Sequence, residues 1–415
     1  MDQIIVENVR CFRKRQTVPL APLTFLVGEN SSGKSTFLAL ARLAWDLMAS
    51  RRPLNFNEEP FSLGAYDQIA TLVQKPTTSA DSFSVGARVA GGVITDNVTV
   101  TTTFVSRGGQ PAIRQWKIED AQYRITLEYD GDEKPSLIKL KGPNIRRELK
   151  VDQEMQVPPP YLAYPIIARY FASRGYSSRL LFLFQAVALA PATRPYAFAP
   201  IRTRPQRTYD ALQEILNPEG SHVPLLLYRL SQDRAAWQRL SKAISGFGRA
   251  SGLFEKVEVK AFDKEGGPFQ IRVAIDGIPT NFVDVGYGVS QILPIVVDCI
   301  LATEGSTFLL QQPEVHLHPR AQAELSSFLA LLAKEGQKQF LIETHSDYMV
   351  DRIRMDIRDG KHGLRPEDVL ILYFERQGAE AHIHPMTLDS YGNLLDAPAT
   401  YRRFFLDEER RFLGG

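Results

Sequence analysis

Residues 28–35 of this chain read Gly-Glu-Asn-Ser-Ser-Gly-Lys-Ser, which fits the pattern G-x-x-x-x-G-K-[ST]. An apolar run rich in β-forming residues, 23–27, precedes the segment. An Ala- and Leu-rich stretch with no internal Gly or Pro, 35–50, follows it. Strand, glycine-containing loop and helix, in that order, are the structural context that the pattern requires. The sequence therefore predicts an α/β fold in which this phosphate loop joins a strand to a helix.

The composition of the loop suits the binding of phosphate. Glycines let consecutive N–H groups turn toward one anion, and the following helix adds the positive end of its dipole. We expect Lys34 to neutralise phosphate oxygens and the Ser35 hydroxyl to ligate Mg²⁺, so the predicted cofactors are ATP and Mg²⁺. The residues of this segment predicted to bind ATP are Gly28, Asn30, Ser31, Ser32, Gly33, Lys34, Ser35 and Thr36.

Three later segments also combine apolar runs with polar tips. Residues 307–319 (TFLLQQPEVHLHP) and 340–346 (FLIETHS) each read as a strand that ends in polar residues. Residues 284–291 (DVGYGVSQ) read as a glycine-rich turn before a helix. The end of the chain thus returns to the α/β alternation of its beginning.

Together with the phosphate loop, and in this order, these segments resemble the ABC-type ATPases of the SMC, RecF and OLD group. The match is closest to bacterial AAA family ATPases with an OLD-like head, of the kind found in anti-phage defence systems. The resemblance implies an α/β, ABC-type P-loop ATPase head with a β-rich arm insertion and a helical subdomain. The sequence has no long heptad repeat, so we expect no SMC rod.

The resemblance also assigns roles outside the phosphate loop. His345 corresponds to the switch histidine that senses the γ-phosphate. The segment from Gly286 through Gly288 to Ser290 corresponds to the signature, which in this group completes the ATP site of the opposite subunit. Either Gly286 replaces the usual signature serine or Ser290 supplies the hydroxyl.

Two further contacts follow from the resemblance with less sequence support. Gln68 is the nearest candidate for the Q-loop glutamine, a metal contact. Arg13 or a neighbour in the basic cluster 10–15 either touches the nucleotide or lies in a solvated turn.

One departure from the family pattern concerns catalysis. The pattern ends the strand of the segment 307–319 with an acidic residue for the Mg²⁺ shell and a glutamate for the attacking water, whereas this chain has Gln311 and Gln312. An amide accepts a hydrogen bond but cannot take a proton, and loss of a general base costs about 10²- to 10⁴-fold in rate. Glu314 could partly substitute. We therefore predict slow hydrolysis by a site that comprises Lys34, Gln312, Glu314 and His345, with Gln311 at the metal.

Length and composition restrict the class of protein. The 415 residues carry 49 Lys and Arg against 47 Asp and Glu, so the net charge of +2 gives no global basic bias. Two cysteines cannot form a disulfide framework, and no apolar run reaches the length of a membrane span, so we expect a cytoplasmic protein without a membrane partner.

We predict head segments at 1–80 and 256–415, a β-rich arm at 81–155 and a helical subdomain at 156–255.

The sequence favours one function and leaves two alternatives. The first is an ATP-binding switch that forms a homodimer or larger assembly through its ATP-bound heads. By analogy it controls a separately encoded effector, for example a nuclease, in anti-phage defence. The alternatives are a RecF-like DNA repair ATPase, with Arg202 and Arg207 among the candidate nucleic-acid contacts, and a non-hydrolysing scaffold. Asp130-Gly131-Asp132 resembles a Toprim nuclease motif but reads as a hairpin turn, so we expect no Toprim domain.

Overall fold

The structure is a computed structural model of the chain. It describes residues 1–49, 54–73, 78–89, 97–130, 135–151, 183, 194–202, 204–210, 217–262, 267–401 and 403–413. The Pro-rich segment 156–160, parts of the predicted helical subdomain (156–182, 184–193, 203 and 211–216), and Gly131 and Asp132 lie outside these residues.

The described residues form strands and helices with the following bounds. The strands are β1 (Gln3–Glu7), β2 (Gln16–Pro19), β3 (Leu23–Gly28), β4 (Leu72–Val73), β5 (Thr78–Ser79), β6 (Phe83–Val89), β7 (Val98–Arg107), β8 (Gln110–Glu119), β9 (Arg124–Glu128), β10 (Leu137–Gly142), β11 (Ile145–Lys150), β12 (Tyr196–Phe198), β13 (Lys256–Ala261), β14 (Phe269–Ile275), β15 (Ile278–Asn281), β16 (Thr307–Gln311), β17 (Gln339–Glu343), β18 (Val369–Gln377), β19 (Glu380–Leu388) and β20 (Leu394–Leu395). The helices are α1 (Lys34–Ala49), α2 (Tyr66–Ile69), α3 (Val223–Ser231), α4 (Arg234–Ser251), α5 (Tyr287–Leu301), α6 (Pro319–Glu335), α7 (Asp347–Arg358) and α8 (Arg403–Phe412).

The first large sheet joins the N-terminal strands to the predicted arm. Its eight strands run in the order β11-β10-β9-β8-β7-β6-β1-β2, and every neighbouring pair is antiparallel. Ile4 on β1 lies opposite Val18 on β2 and Ala87 on β6. The strands of the arm are therefore continuous with the sheet that begins at residue 3, rather than forming a sheet of their own.

The second large sheet carries the phosphate loop. Its seven strands run in the order β12-β16-β17-β3-β18-β19-β20. The first five are parallel, and β19 and β20 are antiparallel. The carboxyl ends of parallel strands meet at one edge, which is where open α/β sheets bind ligands. This edge gathers the segments that follow β16, β17 and β3.

Helices cover both faces of the second sheet. Leu309 and Leu341 belong to a core that includes the apolar side of α1, whereas Phe308 and Phe340 belong to a second core with α5, α6 and α7. Burial on both faces explains why these strands read as continuous apolar runs. The predicted α/β fold class is confirmed. No helix among the described residues is long and apolar enough to cross a bilayer.

Two helix starts fix the loops at the carboxyl edge. His318 precedes α6, and its Nδ1 accepts a hydrogen bond from the N–H of Arg320 at 3.3 Å. Ser346 precedes α7, and its hydroxyl accepts from the N–H of Met349 at 3.2 Å. Such N-caps satisfy backbone donors that a helix start leaves without partners. The loops after β16 and β17 are thus held by the helices that follow them.

Candidate nucleotide site

A cavity of about 520 Å³ opens at the carboxyl edge of the second sheet. The phosphate loop and the start of α1 line one side of it with Asn30, Ser31, Gly33, Lys34, Ser35 and Thr36. Other segments line the remainder with Arg10, Cys11, Gln312, Glu343, His345 and Arg376. The structure therefore brings Lys34, Ser35, Gln312 and His345 together in one cavity, as the motifs predicted.

The backbone of the phosphate loop needs glycine at both of its motif positions. Gly28 has φ +140°, and a Cβ there would lie 2.4 Å from the carbonyl oxygen of Phe374. Gly33 has φ +104°, and a Cβ there would lie 2.8 Å from Cys11 Sγ. Ser31 between them also has a positive φ, of 59°. Consecutive backbone N–H groups in such a loop form a concave anion site at the start of α1.

Lys34 is held inside the loop. Its Nζ donates to the carbonyl oxygens of Gly28 at 2.9 Å and Glu29 at 2.7 Å, and the residue is 3% exposed. Burial lowers the pKa of Lys34, an effect that the nearby Glu343 opposes. An ammonium group has three donors, so one remains for a phosphate oxygen.

A carboxylate that the sequence reasoning did not select lies against Ser35. Glu343 Oε1 accepts a hydrogen bond from Ser35 Oγ at 2.8 Å, and Glu343 is 4% exposed. Burial raises the pKa of Glu343, while Ser35, Lys34 and Gln311 oppose this shift. Glu343 belongs to the quoted segment 340–346, and its position at the end of an apolar run, two residues before His345, was the available signal.

The two glutamines differ in position. Gln312 lines the cavity with a φ of 43°, and its N–H donates to the carbonyl oxygen of Glu343 at 2.8 Å. Gln311 is not among the described residues that line the cavity, and it interacts with Glu343 instead. The expected direct metal contact of Gln311 is therefore not supported by this arrangement.

Glu314 lies behind the cavity rather than in it. It is 6% exposed, and its Oε1 accepts a hydrogen bond from the backbone N–H of His345 at 2.8 Å. Burial raises the pKa of Glu314. Its position corrects the expectation that Glu314 could substitute for the missing base, because the carboxylate supports the His345 loop and does not face the nucleotide space.

His345 lines the cavity beside Lys34. Burial and then the charge of Lys34 lower the pKa of the imidazole, so the ring is neutral at physiological pH. A neutral imidazole can offer either a donor or an acceptor to a phosphate oxygen. This position agrees with the γ-phosphate contact that the family resemblance implies for it.

Two arginines that line the cavity were missed or left open. Arg10, a member of the basic cluster 10–15, donates from Nη1 to Thr36 Oγ1 at 3.0 Å. Arg376, from the end of β18, donates to the carbonyl oxygen of Ser31 at 3.0 Å. Arg13, the residue selected from the cluster, instead donates to the carbonyl oxygen of Leu72 and does not line the cavity.

Gln68 is also placed elsewhere. Its Oε1 accepts a hydrogen bond from the N–H of Ala65 at 2.9 Å, which closes the first turn of α2. The side chain is not among the described residues that line the cavity. The prediction that Gln68 contacts the metal is therefore not supported by this arrangement.

The signature segment lies at the start of α5, outside the cavity of its own chain. Gly286 precedes the helix, and a Cβ at Gly288 would lie 2.7 Å from the carbonyl oxygen of His316. The Ser290 hydroxyl is buried and donates to the carbonyl oxygen of Tyr287 at 2.8 Å. Of the two registers left open, the one in which Ser290 offers its hydroxyl is the less favourable in this arrangement. A role opposite a second subunit stays a prediction.

Two arginines proposed for nucleic acid are already engaged. Arg202 is 2% exposed and donates to the carbonyl oxygen of Gln291 at 3.0 Å. Burial lowers the pKa of Arg202 to about 10. Arg207 pairs with Asp284 at 2.6 Å. Arg202 is too buried to contact a nucleic-acid backbone.

Comparisons with known proteins agree with the site. Residues 206–350 match the family model described as an AAA ATPase domain, which spans Gln312, Glu343 and His345 and about a third of the chain. No curated protein matches. Together, the match and the phosphate loop support an ATPase domain of the AAA type in this chain.

Solved SMC heads are similar at low identity. A Smc head bound to the C-terminal winged-helix domain of ScpA is 11% identical with a TM-score of 0.48, and the match covers 93% of this chain and 97% of the other. A Smc head from Pyrococcus furiosus, with an extended coiled coil and bound to the C-terminal domain of ScpA, is 10% identical with a TM-score of 0.47 and 99% coverage of both. The SMC head from Thermotoga maritima is 12% identical with a TM-score of 0.41, and the match covers 92% and 98%.

Proposed function

We propose that this chain is an ATP-binding switch whose heads close on ATP and hydrolyse it slowly. The observation that carries the proposal is the cavity itself, which combines a complete phosphate loop with Gln312 where the family pattern has a catalytic glutamate. Binding groups are present, while the group that would activate water is replaced by an amide.

Several cations and donors support the binding of a triphosphate. The loop N–H groups and the start of α1 provide an anion site, and Lys34 has one free donor. The guanidinium groups of Arg10 and Arg376 line the same cavity, and arginine is well suited to phosphate because its donors lie in a planar fork. His345, whose ring is neutral, lines the part of the cavity at the carboxyl ends of the strands.

The residues present fit Mg²⁺. Magnesium prefers oxygen ligands and is commonly held by one or two protein groups together with substrate phosphates. The Ser35 hydroxyl and the Glu343 carboxylate, 2.8 Å apart at the cavity wall, are oxygen donors of this kind. When bound, the ion would neutralise charge on the phosphates, and Ser35 would hold it from the protein side.

Slow hydrolysis follows from the chemistry of Gln312. Its amide can orient a water through a hydrogen bond but cannot accept the proton. Glu314 is turned toward the backbone of His345 and away from the cavity. A head that binds ATP but lacks a base retains the nucleotide, which suits a switch better than a motor.

Dimerisation and effector control are the finer parts of the proposal. The start of α5, with Gly286 and the exposed ring of Tyr287, lies outside its own cavity and is free to face a second copy. Control of a separately encoded effector in anti-phage defence is supported by the sequence resemblance alone.

ATP turnover by the full-length chain tests the proposal. We expect wild-type turnover well below about 1 s⁻¹, the lower end of typical enzyme rates. Gln312→Glu restores a proton acceptor at the cavity wall and is expected to raise turnover by about 10²- to 10⁴-fold. Lys34→Ala, added to Gln312→Glu, should abolish the gain. Brisk wild-type turnover that Gln312→Glu leaves unchanged would contradict the proposal.

A further inference from the structure

The carboxylate of Glu343 is only partly satisfied. Oε1 accepts the hydrogen bond from Ser35, whereas the buried Oε2 has no hydrogen bond of good geometry among the described residues and the Gln311 amide is the side chain that acts on the carboxylate from the neighbouring strand. A buried carboxylate oxygen without a partner is costly, and native proteins rarely retain one without a reason such as an ion or a catalytic role.

Glu343 is also the one carboxylate among the described residues that line the cavity. Gln311 lies directly opposite it, because the two residues are register partners on the parallel strands β16 and β17. An amide at 311 and a carboxylate at 343 thus occupy neighbouring strand ends, and the strand of Glu343 is the one that lies next to β3. The negative charge that the family pattern has on β16 is on β17 in this chain.

We propose that Glu343 is the carboxylate ligand of the Mg²⁺ ion that accompanies ATP. The inference rests on the proposed function, since it requires nucleotide in the cavity. Oε2 gives the ion an anionic oxygen beside Ser35, and metal binding would satisfy the charge of this buried carboxylate. A purely structural Glu343 would need only to accept the hydrogen bond from Ser35, which a glutamine oxygen does equally well.

The test compares nucleotide affinity with and without metal. ADP binding to the full chain is measured by calorimetry in Mg²⁺ and in excess chelator, and Mn²⁺ binding to the ADP complex is measured by electron paramagnetic resonance. We expect Glu343→Gln to lower Mn²⁺ affinity at least about tenfold, since mutation of even an outer-shell residue typically lowers metal affinity by 10- to 100-fold. The affinity for ADP in chelator should stay within about twofold of wild type.

Two further variants make the result specific. Glu324→Gln removes a carboxylate that pairs with Arg352 and does not line the cavity, and it should leave Mn²⁺ affinity unchanged. The exchange Gln311→Glu with Glu343→Gln returns one carboxylate to the pair and should recover metal affinity. If Glu343→Gln binds Mn²⁺ as tightly as the wild type, the inference is overturned. If the wild-type chain binds no ADP in either condition, the proposed function is overturned as well.

Discussion

At the scale of single residues, burial sets the charges of the cavity. Lys34 and His345 both have a lowered pKa, chiefly because burial disfavours their charged forms. Lys34 remains an ammonium because two carbonyl oxygens accept from it, whereas His345 is neutral. The cavity thus combines the buried ammonium of Lys34 with the neutral ring of His345, beside the guanidinium groups of Arg10 and Arg376.

The lowered pKa of His345 predicts a pH-dependent stability. The folded chain binds fewer protons at this residue than the unfolded chain, so stability is lost as the pH falls below the ordinary histidine value of 6.5. We expect the melting temperature of His345→Asn to rise relative to wild type as the pH is lowered from about 8 to about 5, because the variant has no imidazole to protonate. His362→Asn, in the turn after α7, is the matched control. A difference between His345→Asn and wild type that is the same at every pH would contradict this prediction.

The sequence could predict the residues that belong to a local motif. Lys34, Ser35 and His345 were placed correctly because each stands at a fixed offset from a strand that the sequence reveals. Glu343 and Arg376 were missed because their proximity to the loop depends on which strands flank β3, and this order is not visible in the sequence. Arg10 and Arg13 belong to one basic cluster, and the sequence does not show that the side chain of Arg10 lines the cavity whereas that of Arg13 does not.

At the scale of elements, the phosphate loop depends on close contact between β3 and β18. Gly28 ends β3 beside Phe374 on β18, so a methyl group there meets backbone rather than a flexible side chain. Gly28→Ala should cost about 2–4 kcal/mol in the free energy of unfolding, from overpacking together with the positive φ. It should also weaken ATP binding, because the loop cannot keep its path.

A second glycine separates these two effects. Gly305 also has a positive φ, of 77°, but nothing lies within 4 Å of its Cβ position. Gly305→Ala should therefore cost only about 1 kcal/mol, the backbone contribution alone. Denaturant melts of the two variants provide the comparison, and equal losses would show that the contact with Phe374 is unimportant.

Elements were predicted better than their pairing. The described part of the predicted β-rich arm, 81–155, consists mainly of strands, since alternation and turn residues are local signals. The merger of these strands with β1 and β2 was not predicted, because the register that places Ile4 opposite Ala87 joins residues far apart in sequence. Non-local pairing is the information that a single sequence carries most weakly.

At the scale of the whole molecule, the two large sheets have different structural roles. The second sheet builds the cavity at its carboxyl edge, and the first extends the N-terminal strands into the arm. The signature segment at the start of α5 takes no part in the cavity of its own chain. In the account proposed here, a second copy brings that segment to the nucleotide, so that ATP joins two heads and its slow loss separates them.

The molar mass of the chain in three nucleotide states tests this account most directly. Light scattering of the full-length protein in Mg²⁺ with ATP, with ADP and without nucleotide reports whether heads associate. The account predicts that ATP at least doubles the mass found without nucleotide, that ADP does not, and that Lys34→Ala abolishes the change. A chain that binds ATP but has the same mass in all three states would contradict it.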